Sequence, residues 1–198
     1  MKKTLQLIAT IVCSTVLVLG IFSCENKSNT DTYKNDRQSL VDSDSMHKND
    51  FDKQKDESDA DYLTFIKKKS EQGYPEAQLR LGIMYEQGLY GLSQSNENAK
   101  KWYLKAAKQG YSLAQYNLAS LYFTEENYSK SFRWMKECAE SGDYPYAQYM
   151  LAQCLINGFG CEQDVMEGLY WLEKAADQGV KGAIEDLNTF NEELRKYN

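Results

Sequence analysis

Residues 74–110 read YPEAQLRLGIMYEQGLYGLSQSNENAKKWYLKAAKQG, and residues 143–179 read DYPYAQYMLAQCLINGFGCEQDVMEGLYWLEKAADQG. The intervening stretch, 111–142, runs YSLAQYNLASLYFTEENYSKSFRWMKECAESG and preserves the same order of residue kinds. Gly73, Gly110, Gly142 and Gly179 are spaced 37, 32 and 37 apart, and Phe65, Trp102, Trp134 and Trp171 keep the same spacings. Self-similarity at this length marks a solenoid, in which no single copy buries its apolar face alone.

Each copy splits into two helices. Around the aromatic positions the apolar residues fall at i, i+3, i+4, i+7 and i+8, as Ala99, Trp102, Tyr103, Ala106 and Ala107 and again as Gly168, Trp171, Leu172, Ala175 and Ala176. That is one stripe of an amphipathic helix. Ser58, Ser95, Asn127 and Asp164 precede the stripes as N-cap residues, whose oxygens accept unpaired N–H groups of a first turn. Asp164 with Glu167 has the spacing of a capping box. A closing glycine follows each stripe, where a left-handed residue ends a helix. The other helix of each copy carries Ala77, Leu81, Gly82 and Tyr85, then Ala114, Leu118, Ala119 and Tyr122, then Ala147, Leu151, Ala152 and Leu155. Small residues at Gly82, Ala119 and Ala152 predict close helix approach. Pro75 and Pro145 fall at equivalent places near its start, where a missing N–H costs nothing.

The segments EAQLRLGIMYEQG…AKKWYLKAAKQG, LAQYNLASLY…SFRWMKECAESG and YAQYMLAQCLINGFGCEQDVMEGLYWLEKAADQG resemble Sel-one-like repeats (SLR), relatives of the tetratricopeptide repeat. The resemblance implies an all-α, right-handed α-solenoid of helix hairpins over residues 58–198. Three full repeats, at about 74–110, 111–142 and 143–179, stand between partial copies. The middle copy departs from the pattern by about five residues, with Phe123-Thr-Glu-Glu-Asn-Tyr128 in place of a glycine-containing loop. At the C-terminus, residues 180–198 are expected to cap the stack with Ala183, Ile184, Leu187, Phe190 and Leu194, because a bare solenoid end exposes an apolar face.

The resemblance also implies a concave groove lined by the first helices. Its expected lining is Leu79, Ile83 and Glu86, then Leu113, Tyr116, Ser120 and Phe123, then Tyr146, Tyr149, Gln153 and Ile156. Tyr, Phe and Leu there are anchors for a peptide or helix. The alternative for Tyr116 and Tyr149 is packing between neighbouring helices.

Ahead of the repeats the chain changes character. Met1-Lys2-Lys3 is cationic and Leu5 to Phe22 carries no charge, the pattern of a secretory signal over residues 1–23. Ile21-Phe22-Ser23-Cys24 resembles a bacterial lipoprotein signal, which implies lipidation at Cys24; an uncleaved anchor is the alternative, since about 18 apolar residues just span a bilayer. Either places the rest of the chain outside the cytoplasm, membrane-anchored at the cell envelope. Residues 24–57 hold too few apolar groups to offset the entropy of ordering and read as a disordered tether.

The chain has 23 Lys+Arg against 29 Asp+Glu, a single His, five Cys and a net charge of −6. No basic face is visible, so nucleic acid is not an expected partner. With His47 in the tether, His-dependent nucleophile systems and zinc triads are absent from the repeats. Neither a metal nor any other cofactor is expected. Cys138, Cys154 and Cys161 remain after the signal and the lipid site; Cys138 replaces a core alanine, and a Cys154–Cys161 disulfide requires alpha carbons within about 7 Å. The cysteines do not recur at the repeat spacing, so the β-lactam-hydrolysing activity of the cysteine-rich SLR branch is not carried over. The chain is expected to be a monomeric, non-enzymatic scaffold for a protein or peptide partner, the alternatives being a cell-wall or carbohydrate binding module and a β-lactamase-like hydrolase.

Overall fold

The computed structural model of the chain describes residues 51–52, 58–141 and 144–195. These form helices α1 (Asp59–Glu71), α2 (Pro75–Gln87), α3 (Asn96–Ala107), α4 (Ser112–Thr124), α5 (Tyr128–Ser141), α6 (Pro145–Asn157), α7 (Val165–Asp177) and α8 (Lys181–Arg195). No strand occurs among the described residues. The signal, Cys24 and most of the tether lie outside them, as do Gly142 and Asp143.

Local chemistry sets the helix ends. The side chains of Ser58, Ser95 and Asp164 accept from the backbone N–H groups of Asp61, Asn98 and Glu167. The capping box at Asp164 is half made: Glu167 turns its carboxylate to the indole N–H of Trp171 at 3.4 Å, and the Asp164 N–H donates instead to the carbonyl of Leu155 at 2.9 Å. Gly73, Gly110 and Gly179 take φ of 95°, 81° and 85°, a region that disfavours any Cβ, and close α1, α3 and α7. The shortened middle copy turns without glycine: Glu126 itself takes φ of 60°, and the Asn127 N–H reaches the carbonyl of Tyr122 at 2.8 Å.

Packing runs between consecutive helices along the chain. The interior is correspondingly a relay of three clusters. Tyr62, Ile66, Leu81 and Met84 fill the first; Leu79, Tyr103, Ala106, Ala114 and Leu118 belong to the second; Tyr116, Met135, Leu151, Ile156, Trp171 and Ala183 belong to the third. Tyr85 bridges the first two, and Leu113 with Trp134 bridges the last two. Such a chain of nearest-neighbour interfaces is an α-solenoid.

Two details differ from the sequence pattern. In α3 the fully buried aromatic is Tyr103, while Trp102 stays half-buried, because Gly82 of α2 leaves a hollow that the Tyr103 ring occupies. In α8 Ala183 is buried and Leu187 packs on the third cluster, but Ile184 is 40% exposed and lies off the packed side.

Candidate functional site

The first helices of the hairpins, α2, α4 and α6, carry every residue expected to line the groove, and the structure divides those residues in two. Leu79, Tyr116 and Ile156 are buried in the clusters. The ring of Tyr116 lies 4.8 Å from that of Tyr144, and Gly168 of α7 packs against Ile156. Tyr149 and Gln153 are also buried, and both turn toward α8: the Tyr149 hydroxyl donates to Asp186 Oδ2 at 2.9 Å and Gln153 Nε2 to the same oxygen at 2.6 Å. Gly182 accommodates the Tyr149 ring, since a Cβ there would stand 2.9 Å from its hydroxyl. Tyr116 and Tyr149 therefore pack between helices, the second of the two roles the sequence allows them.

Ile83, Glu86, Phe123 and Tyr146, with Leu113 and Ser120, remain half-exposed. Glu86 accepts from the Tyr103 hydroxyl at 2.6 Å. Phe123 joins Tyr128 and Phe159 in an aromatic group with centroids 5.1 to 5.7 Å apart. Beside it opens a cleft of about 440 Å³ lined by Glu125, Glu126, Asn127, Tyr128, Ser129 and Gly160. Lys100 reaches Glu97 and Glu125, each at 2.7 Å, so one carboxylate of this cleft is already paired.

Titration is shifted at Asp186. Burial pushes its carboxyl up to about 6, with Glu185 adding to the rise and the hydrogen bonds from Tyr149 and Gln153 opposing it. No disulfide joins Cys138, Cys154 or Cys161 in this structure, so the Cys154–Cys161 bridge raised by the sequence is not formed. The Cys161 thiol donates toward the Cys154 carbonyl at 3.5 Å, and burial, with Glu167, pushes its pKa up. Among the described residues no cluster of three or more His, Cys, Asp or Glu is placed to hold a metal, and no helix is long and apolar enough to cross a membrane.

Sequence reasoning missed a set of glutamines. Gln78 donates to the carbonyl of Ser70 at 3.1 Å and accepts from Gln109 at 2.9 Å; Gln115 donates to the carbonyl of Ala107 at 3.3 Å; Gln148 accepts from Gln178 at 2.6 Å. The signal for it was the recurrent Ala-Gln of the first helices and the Gln-Gly that follows α1, α3 and α7.

The Sel1 repeat model matches residues 75–111, 112–143 and 145–180, just over half of the chain. The chain belongs to the Sel1 repeat family. Among curated Sel1 relatives, the sel1-like repeat-containing protein L21 of Acanthamoeba polyphaga mimivirus is 40% identical over 80 residues, 40% of this chain and 15% of the relative. Chitin synthase regulatory factor 3 of Schizosaccharomyces pombe is 31% identical over 121 residues, 58% of this chain and 13% of the relative. The chain thus spans only a small part of the length of either. Two solved structures share the fold. A protective antigen of uropathogenic Escherichia coli with an SLR fold superposes with a TM-score of 0.59 at 35% identity, covering 63% of this chain and 27% of that one. A Sel1 repeat protein from Oxalobacter formigenes superposes with a TM-score of 0.57 at 33% identity, covering 64% of this chain and 97% of that one.

Proposed function

We propose that this Sel1 repeat chain is a non-enzymatic scaffold, held outside the cytoplasm by a lipid on Cys24, that captures a protein or peptide partner on its first-helix groove. The observation that carries the reading is the split among the groove residues: Leu79, Tyr116 and Ile156 are consumed by packing, while Ile83, Glu86, Phe123 and Tyr146 keep accessible surface on successive first helices. Apolar and aromatic anchors of this kind on a rigid helical face suit the apolar side of a partner helix or an extended peptide. Sel1 repeat proteins act as protein-interaction scaffolds, and the Schizosaccharomyces pombe relative named as a chitin synthase regulatory factor supports a regulatory protein partner over catalysis.

The experiment is in-cell cross-linking of the full chain followed by mass spectrometry, repeated with Phe123→Ala plus Tyr146→Ala. The reading expects a protein partner whose yield falls about tenfold in the double variant while helicity is retained. Undiminished capture by a folded double variant sinks the groove; labelling by radioactive palmitate that survives Cys24→Ser sinks the lipid anchor.

A further inference from the structure

Phe51 and Asp52 belong to the stretch that composition assigns to the tether, yet they rest on α1 and α2. The Tyr62 hydroxyl donates to the Phe51 carbonyl at 2.9 Å, and Arg80 Nη2 reaches Asp52 Oδ1 at 2.7 Å. The Phe51 ring stands 6.2 Å from Phe65 and 5.9 Å from Tyr74, centroid to centroid. Three kinds of group are thus read at once: a main-chain carbonyl by a tyrosine, an aromatic side chain by two rings, and a carboxylate by a guanidinium.

The receiving side chains are also held by contacts of their own. Tyr62 is 3% exposed and meets Tyr90 edge-on at 5.1 Å, and Arg80 is held by Glu76 of its own helix at 3.0 Å. Lys69 lies 4.9 Å over the Tyr74 ring. Preorganised aromatic and arginine groups lose little freedom on binding, and an Arg–carboxylate contact is charge-assisted, which is what separates a recognition site from an incidental contact.

We propose that Tyr62, Phe65, Tyr74 and Arg80 form a peptide-binding site for an aromatic residue followed by an acidic one, and that the chain's own Phe51-Asp52 is its resident ligand. The site lies at the N-terminal end of the stack and does not depend on the groove proposed above. Only residues 53–57 separate Asp52 from Ser58. A covalent connection this short supplies an effective concentration on the order of millimolar. A partner segment of the same chemistry has to outcompete it, so the site discriminates against weak ligands.

The test uses the full chain in detergent and a fluorescein-labelled peptide of residues 47–54, HKNDFDKQ, followed by anisotropy. A Phe51→Ala, Asp52→Ala chain, whose site is vacated, is expected to bind the peptide at least tenfold more tightly than the wild type. Adding Arg80→Ala to the vacated chain is expected to weaken binding at least tenfold, and Tyr62→Phe, which removes only the hydroxyl, at least threefold. A control peptide with both Phe and Asp replaced by Ala is expected not to bind. Equal affinity of wild-type and vacated chains, no binding by a vacated chain of unchanged helicity, or indifference to Tyr62→Phe each overturns the proposal. A wild-type dimer that the double substitution dissolves overturns the assignment of the ligand to the same chain.

Discussion

The side-chain amide of Gln109 donates to the side-chain oxygen of Gln78 at 2.9 Å, and the amide of Gln78 reaches back to the Ser70 carbonyl at 3.1 Å. One glutamine on α2 thereby joins the end of α1 to the end of α3. Gln148 and Gln178 repeat the glutamine-to-glutamine contact between α6 and the end of α7. On α4 the series is broken: Gln115 Oε1 is buried without a partner, because Ser141 stands where Gln109 and Gln178 stand relative to their glycines. At α8 the equivalent position belongs to exposed Ile184, which supplies no amide to the series.

Ser141→Gln is therefore expected to stabilise the protein. A buried unpaired oxygen gains a donor, and a net hydrogen bond contributes about 1 kcal/mol. The exposed Ser141 hydroxyl gives up only a local bond to the Cys138 carbonyl. The check is urea unfolding of the substitution in wild-type and Gln115→Leu backgrounds. An equal gain in both backgrounds assigns the effect to helix propensity and removes the ladder explanation.

Gly82→Ala should be costly despite the better helix propensity of alanine, worth about 1 kcal/mol at an exposed site. The added Cβ would meet Cδ1 of Tyr103 at 2.5 Å, and that ring has no room to retreat, since its hydroxyl is tied to Glu86 at 2.6 Å. Overpacking of this kind costs about 1–3 kcal/mol. A lower urea midpoint that Tyr103→Leu largely restores is the expected result; a Gly82→Ala protein as stable as the parent contradicts the close approach.

Deleting residues 180–198 should leave the third cluster uncovered. Val180 and Ala183 are buried at 3% and 0%, and α8 also supplies the acceptor for Tyr149 and Gln153. A solenoid without its terminal cap exposes its last apolar interface. Concentration-dependent light scattering and lost helicity per residue are expected. A truncated chain that is monomeric and equally helical would show that α7 suffices as an end.

Helix positions, prolines, closing glycines and most caps were legible because each rests on a neighbour within four residues. Tyr103 was not singled out over Trp102, because which aromatic goes inside depends on Gly82 in the preceding helix. The groove was legible as a set of first-helix positions. Its division was not, since Tyr149 and Gln153 turn toward Asp186 on α8, more than thirty residues away. The docking of Phe51 and Asp52 escaped for a similar reason: a lone aromatic in a polar stretch carries no periodicity, and its partners are spread over two helices.

Asp186 gives the stability a pH dependence opposite to that of a salt-bridged carboxylate. Burial raises its folded pKa to about 6, above the roughly 3.9 of an exposed aspartate, so the folded state binds the proton more readily than the unfolded state. The groups facing it are Tyr149 and Gln153 from α6 and Glu185 beside it on α8. Its contribution is fully present below about pH 4 and is lost as pH rises through about 6, a change on the order of 2 kcal/mol. Asp186→Asn keeps an oxygen for both donors and carries no charge. Relative to wild type it should be about 2 kcal/mol more stable at pH 7.5 and nearly equal at pH 4, measured by urea unfolding at each pH. A stability difference between the two proteins that stays constant from pH 4 to 7.5 would mean that Asp186 titrates alike folded and unfolded, and that the junction of α6 and α8 leaves its carboxylate fully hydrated.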